Sequence, residues 1–121
     1  MEETQPTPGT AIVDPYFGRM NAPTAAAFVK GACGDEMEFY LYIVDGIIKE
    51  VRYYTDGCGY ARGCARAVAQ AATDAGVRDA LGISPGAVLD QNPDLPDEGW
   101  HCAILAVTTL HRAVADYLLC P

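Results

Sequence analysis

Residues 36 to 55 constrain the fold more than any other stretch, because they form two alternating runs joined by one tight turn signal. From Glu36 to Asp45, Met37, Phe39, Leu41 and Ile43 fall on one side, with Glu36, Glu38, Tyr40 and Tyr42 on the other. A period of two marks a half-buried strand. Asp45-Gly46 then supplies the two residues of a hairpin turn. Ile47 to Thr55 alternates again, with Ile48, Glu50, Arg52 and Tyr54 opposite Ile47, Lys49, Val51 and Tyr53. Two antiparallel strands follow.

Beyond Gly59 the period becomes helical. Ala61, Cys64, Val68, Ala71 and Ala75 recur at spacings of three and four, with Arg62, Arg66, Gln70 and Thr73 elsewhere, and Gly76 is a suitable stop. Val77 to Leu81 and Pro85 to Leu89 read as short helices, the second capped by Ser84 with Pro85 in its first position. Residues 92–99 form an acidic loop, Asn-Pro-Asp-Leu-Pro-Asp-Glu-Gly. The last helix runs from about His101 to Leu119, with Ala103, Val107, Leu110, Val114 and Tyr117 inward and Thr109, Arg112 and Asp116 outward. Before the hairpin, residues 21–31 suit a short helix after Asn21 and Pro23 or an edge strand through Phe28 and Val29; an extended segment from Ala26 to Ala32 is the reading adopted. Residues 1–15, with Glu2, Glu3, Pro6, Pro8, Gly9 and Pro15, read as a flexible tail, which leaves 16–121 as a single domain. Strands followed by helices make an α+β fold: a small antiparallel sheet with helices packed on one face. No internal repeat is visible.

Charge narrows the function. Eight Lys and Arg against 16 Asp and Glu leave a net charge near −8. Nucleic-acid and anionic-membrane binding need clustered cations and are not expected; a partly basic protein partner is. No apolar run approaches the length of a membrane span, and Met1-Glu2-Glu3-Thr4 lacks the features of a signal peptide, so a soluble cytoplasmic protein with reduced thiols is expected. Five cysteines, an odd number without a tight pair, do not suggest a disulfide framework.

Three of those cysteines lie at element boundaries. Cys33 stands in Gly31-Ala32-Cys33-Gly34-Asp35, where positions i and i+2 of an extended chain share a side, so its thiolate and the Asp35 carboxylate can address one ion. Cys58 lies between Gly57 and Gly59, where a strand gives way to a helix whose N-terminal amides favour a thiolate. His101-Cys102 is placed the same way on the last helix. Three thiolates with Asp or His suit zinc or iron–sulfur chemistry rather than a hard cation. Spacing alone leaves metal binding and simple burial both open. Cys64 lies on an apolar stripe and reads as core, Cys120 at the C-terminus has no assigned role, and His111 reads as structural. Arg62 and Arg66 read as a solvated face, and Tyr40, Tyr42, Tyr53 and Tyr54 as sheet packing. Adjacent His101 and Cys102 project about a third of a turn apart, a weak start for a nucleophile–base pair in a thiol hydrolase.

Taken in order, Gly31-Ala32-Cys33-Gly34-Asp35 with Met37, Gly57-Cys58-Gly59, His101 to Ala106 and Ala115-Asp116-Tyr117 resemble the iron–sulfur cluster assembly scaffolds of the IscU/NifU N-terminal type, over about Gly31 to Leu118. The resemblance implies an α+β domain with a three-stranded antiparallel sheet. It implies a non-enzymatic scaffold that accepts sulfur from a cysteine desulfurase, builds a transient 2Fe-2S cluster and passes it to apo iron–sulfur proteins. The ligands it implies are Cys33, Cys58 and Cys102, with Asp35 and His101 supplying or exchanging the fourth position. Zinc often occupies this site in purified members of the family, so the resemblance implies it as an alternative occupant, and a monomer or weak homo-oligomer is expected. The chain departs from the family at residues 16–23, at Arg62-Gly63-Cys64-Ala65, and at Leu95-Pro96-Asp97-Glu98-Gly99, which stands where the family has Leu-Pro-Pro-Val-Lys. A dedicated chaperone that reads that pentapeptide is therefore not expected to stimulate cluster release. The alternative is a zinc-bound, SufU-like protein that relays persulfide without building clusters. The scaffold is preferred because the insertion typical of that branch is missing between Cys58 and Cys102.

Overall fold

The structure, a computed structural model, describes residues 14–31, 34–57 and 59–119. Three strands, β1 (Ala25–Lys30), β2 (Glu36–Val44) and β3 (Ile47–Thr55), form an antiparallel sheet in the order β1-β2-β3. Four helices follow: α1 (Gly59–Ala72), α2 (Val77–Ala80), α3 (Pro85–Gln91) and α4 (Trp100–Leu119), the last preceded by a single 3-10 turn at Asp97–Gly99. The expected α+β architecture is present. The ambiguous segment before the hairpin is a strand, starting one residue earlier than expected at Ala25 and ending at Lys30.

The hairpin turns where its sequence says it should. Asp45 and Gly46 both take positive φ, 54° and 76°, the pair of left-handed residues that matches the twist of the flanking strands. Met37, Phe39 and Leu41 are fully buried, as their alternation requires, and Ile43 nearly so. The second strand departs from the simple pattern. Tyr42 pairs with Glu50 but Ile43 pairs with Ile48, which leaves Lys49 as the extra residue of a β-bulge. The bulge shifts the phase, so Ile48 shares the buried face with Val51 and Tyr53 instead of lying opposite them. Regular alternation cannot report an inserted residue.

α1 and α4 cover the buried face of the sheet, α4 against β1 and β2 and α1 against β3, with α1 also packed on α4. The α1 stripe is built from Ala61, Cys64, Ala65, Val68, Ala69 and Ala72; Ala71 is exposed, contrary to expectation. Ala75 lies beyond the helix, because the chain leaves α1 to exchange backbone hydrogen bonds with β3. The Asp74 amide donates to the Ile48 carbonyl (2.7 Å) and the Ile48 amide to that of Ala75 (2.8 Å). On α4 the expected inward residues Ala103, Val107, Leu110 and Val114 are buried. Thr109, expected outward, is buried too; its hydroxyl donates to the Leu105 carbonyl one turn back (2.7 Å), so burial leaves no donor unsatisfied. By length and composition α4 with its preceding turn is apolar enough to cross a bilayer, which the sequence reading did not anticipate. Half of that window is buried within the domain, as befits the central core helix.

The segment before β1 is built into the fold from Asp14 onward. Phe17 pairs with Tyr53 beside β3: the Tyr53 amide donates to the Tyr16 carbonyl (2.7 Å) and the Gly18 amide to that of Tyr53 (2.8 Å). The Tyr53 hydroxyl donates to Asp14, and burial with that bond pushes its phenol up to about 12. Arg62 and Arg66, expected on a solvated face, serve this segment. The Arg62 guanidinium stacks 4.1 Å over Phe17, and Arg66 lies 4.0 Å from Asp14. On the outer face of the sheet Arg19 makes two hydrogen bonds to Glu38 (2.9 and 3.2 Å), which hold that carboxyl below its usual range. Of the expected tail over residues 1–15, Asp14 and Pro15 are described, with Asp14 bonded into the fold, and residues 1–13 lie outside the described residues.

Candidate metal centre

Three parts of the chain meet at the end of the sheet opposite the hairpin: Gly31, Gly34 and Asp35 between β1 and β2, Asp56 and Gly57 after β3, and the start of α4. Each is positioned by bonds that can be traced. The Gly31 amide donates to the Asp35 carbonyl (2.7 Å) and the Gly34 amide to the Gly31 carbonyl (3.0 Å), closing the first connection. At the second, the Thr55 hydroxyl donates to the Glu36 carbonyl (2.6 Å) and accepts the Gly57 amide (3.0 Å). Asp56 accepts the Glu36 amide at 3.1 Å. These side chains extend the β2–β3 pairing past its last rung and hold Gly57 beside Asp35.

Gly57 is needed there for its size. A Cβ at this position would stand 2.9 Å from the Ala61 methyl and 3.1 Å from Asp35 Oδ2, closer than such contacts allow. The Asp35 carboxylate therefore lies directly on the turn that leads into α1. At the third segment, the Gly99 amide closes the 3-10 turn on the Pro96 carbonyl (2.8 Å). A Cβ on Gly99 would meet Leu95 at 2.8 Å and the Tyr60 ring at 3.5 Å. This close approach sets the first turn of α4 against the first turn of α1.

The result is a set of donors from two of these segments. Asp35, His101 and Cys102 offer a carboxylate oxygen, an imidazole nitrogen and a thiol sulfur that all lie within 4.8 Å of one another. Cys102 is buried, Asp35 is half-buried and His101 is exposed, so the group has a closed side and an open side. Cys102 Sγ lies 3.6 Å from His101 Nε2, closer than their adjacent positions on the helix suggest. A buried sulfur, an imidazole and a carboxylate form a borderline-soft donor set, suited to zinc or iron and unsuited to magnesium or calcium.

Of the five expected ligands, the structure brings these three together. Cys33 and Cys58 lie outside the described residues, as does Cys120. Cys33 is two residues from Asp35 in the chain, and Cys58 is next to Gly57, which the Asp35 carboxylate touches. Cys64 is fully buried in the core, as its place on the stripe implies. His111 is half-buried, and its Nε2 has no hydrogen-bond partner among the described residues. Thr55, Asp56 and Gly99, which position the site, were not singled out by the sequence. Gly99 was visible only as the end of an acidic loop, and the bonds of Thr55 and Asp56 form only once β2 and β3 pair.

The family model of the NifU-like N-terminal domain matches residues 16–120. The chain is 33% identical over 85 residues to the iron-sulfur cluster assembly scaffold protein IscU 1 of Archaeoglobus fulgidus, a match covering 70% of this chain and 56% of that protein. It is 33% identical over 87 residues to the scaffold protein IscU of Escherichia coli, covering 71% and 67%. The matched part is thus little more than half the length of the Archaeoglobus relative. A NifU-like N-terminal protein from Brucella abortus superposes with a TM-score of 0.69 at 17% identity, over 88% of each chain. A putative iron-sulfur cluster assembly scaffold protein for the SUF system from Fervidobacterium islandicum superposes with a TM-score of 0.70 at 14% identity, over 84% of this chain and 88% of that one. At such identities these two show a shared fold.

Proposed function

The chain belongs to the NifU-like N-terminal domain family, and from that premise we propose that it is a scaffold for iron–sulfur cluster assembly. Cys33, Cys58 and Cys102 hold the nascent cluster, and Asp35 and His101 compete for the remaining position. Sulfur comes from a cysteine desulfurase, and the finished cluster, 2Fe-2S, passes to apo iron–sulfur proteins. The domain of residues 16–121 carries this work in the cytoplasm without catalysing a reaction on a small molecule. The observation that carries the reading is the meeting of Asp35, His101 and Cys102 within 4.8 Å at the point where the chain runs into Cys33 and Cys58.

The chemistry follows from the donor set. A cluster is cargo here, so the site must bind it and let it go. Thiolates provide the soft, strong bonds. A carboxylate is harder and a weaker partner for cluster iron, and the exposed His101 can be approached by an acceptor's thiol. The buried Cys102 anchors the cluster, and exchange takes place on the open side.

Zinc on the same residues, with persulfide relay in place of assembly, is the second reading; the Asp–His–Cys set suits that ion equally well. Anaerobic reconstitution with iron, cysteine and a desulfurase separates the two. A scaffold develops strong visible absorption from sulfur-to-iron charge transfer, and Cys33→Ser, Cys58→Ser and Cys102→Ser each lose it. A protein that stays colourless while carrying persulfide and one zinc would overturn the scaffold reading.

A further inference from the structure

Beside the candidate centre, a cavity of about 290 Å³ opens between the first turn of α1 and the turn over residues 91–95. Its walls include Tyr60 and Gly63 on one side and Asn92 and Asp94 on the other. Three features of the wall concern charge. No Lys, Arg or His lines it among the described residues. The Asn92 side-chain nitrogen is committed to the Val88 carbonyl (2.8 Å), which turns its Oδ1 towards Gly63, 3.7 Å from where a Cβ would stand. Asp94 adds a carboxylate and Tyr60 an aromatic ring, and both residues are exposed. The cavity thus offers acceptors and a π-face but no cation of its own.

Its setting is that of a docking surface. Tyr60, Trp100 and Ile104 are 47%, 49% and 54% exposed. Trp100 and Ile104 are one turn apart on α4, and the Tyr60 ring lies beside Gly99, the residue before Trp100. From Tyr60 on the cavity wall, past Gly99, to the first turn of α4, the three form a strip of exposed apolar side chains. The acidic turn of Asp97 and Glu98, both exposed, borders the strip. Apolar area beside exposed acids fits a partner surface that is apolar with a cationic tip.

We infer that this cavity seats an arginine side chain of the partner protein that docks at the candidate centre. A guanidinium can stack on the Tyr60 ring while donating to Asp94 and Asn92 Oδ1, whereas an ammonium is a compact point charge without a planar face. A cavity of about 290 Å³ has room for one such side chain. The inference deepens the proposed function by giving the chemistry of its partner's contact. What the partner does there rests on that function, but the cavity itself does not.

Trp100 is the only tryptophan, so its fluorescence reports on the strip directly. The probes are capped pentapeptides Ala-Leu-X-Leu-Ala in which X is arginine, citrulline, lysine or glutamate, titrated into the full chain at low salt. The arginine peptide should saturate the signal, and citrulline, which keeps the shape but loses the charge, should bind about five- to tenfold more weakly. Lysine should fall between them. Asp94→Asn and Tyr60→Leu should each weaken the arginine peptide several-fold. Asp79→Asn, which removes the same charge from a helix that does not line the cavity, should not. Equal binding of arginine and citrulline would overturn the inference, as would insensitivity to both Asp94→Asn and Tyr60→Leu. Preference for the glutamate peptide would also overturn it and would mean that the amides at the start of α1 dominate. Reconstitution of the wild-type chain with iron and inorganic sulfide is run in parallel. A chain that binds the arginine peptide but forms no cluster refutes the scaffold and leaves the docking cavity standing, and the reverse result refutes only the cavity.

Discussion

The two ends of the sheet are held together differently. At the hairpin end, backbone joins backbone: Asp45-Gly46 makes the turn, Asp74 and Ala75 exchange hydrogen bonds with Ile48, and the Val77 amide donates to the Gly46 carbonyl at 3.0 Å. None of these bonds needs a particular side chain. At the other end, Thr55 and Asp56 fasten the strands, Asp35 rests on Gly57, and Leu95 and Tyr60 close on Gly99. Here side-chain identity and size decide the geometry. The fold is closed by its main chain at one end, and its chemistry is arranged by side chains at the other, so side-chain substitutions should disturb the site at the second end and be tolerated at the first.

The sharpest break should come from two buried cysteines. Cys102→Ser should abolish the visible absorption of reconstituted protein, because a hydroxyl replaces a soft ligand. Cys64→Ser, fully buried on the inner face of α1, should keep that absorption and lower stability by about 1–3 kcal/mol in a denaturant titration. Loss of cluster in Cys64→Ser with retention in Cys102→Ser would collapse the distinction. A glycine pair comes next. Gly57→Ala must displace Ala61 or Asp35 and should cost about 1–3 kcal/mol together with metal retention. At Gly76, where the nearest side-chain atom would be 3.5 Å from a Cβ, alanine should cost under about 0.5 kcal/mol and leave metal content unchanged. Equal effects at the two glycines would show that the two ends are equally tight.

Asp35→Ala tests exchange more finely. It removes a weak, displaceable ligand and a negative charge, so the cluster should survive longer in air and transfer several-fold more slowly to an apo-ferredoxin. Unchanged or faster transfer at matched thermal stability would leave His101 as the exchangeable position. The smallest effect concerns Tyr53, whose phenol is raised to about 12 by burial and by its bond to Asp14. The unfolded phenol ionises near 10, so the folded state binds more protons above that pH. The stabilisation is complete below pH 10 and is lost as pH rises towards 12. Tyr53→Phe should flatten the fall in melting temperature across that window; an equally steep fall in the variant would assign the alkaline transition to other groups.

Much of this was legible in the chain. The hairpin, its turn and the burial of Met37, Phe39 and Leu41 follow from a period of two and an Asp-Gly pair, both local properties. The stripe of α4 is legible for the same reason, and the motifs around Cys33, Cys58 and Cys102 pointed to the family before any geometry was known. The bulge at Lys49 was not legible, because one inserted residue leaves the composition of a strand unchanged while reversing the faces beyond it. Thr109 looked polar and therefore outward, but its hydroxyl finds a carbonyl on its own helix.

By itself, then, the sequence determined which residue types stand at the junctions and what they can bind, since ligand chemistry belongs to the side chain. Only the tertiary structure decided that Asp35 meets His101 and Cys102, because it is separated from that pair by more than sixty residues of sheet and helix whose packing no local pattern records. It also decided that Arg62 and Arg66 turn to Phe17 and Asp14, and that a cavity lined by Tyr60, Asn92 and Asp94 opens beside the site. These are matters of distance between remote parts of the chain. Distance is settled when α1 and α4 close over the sheet to bury its apolar face.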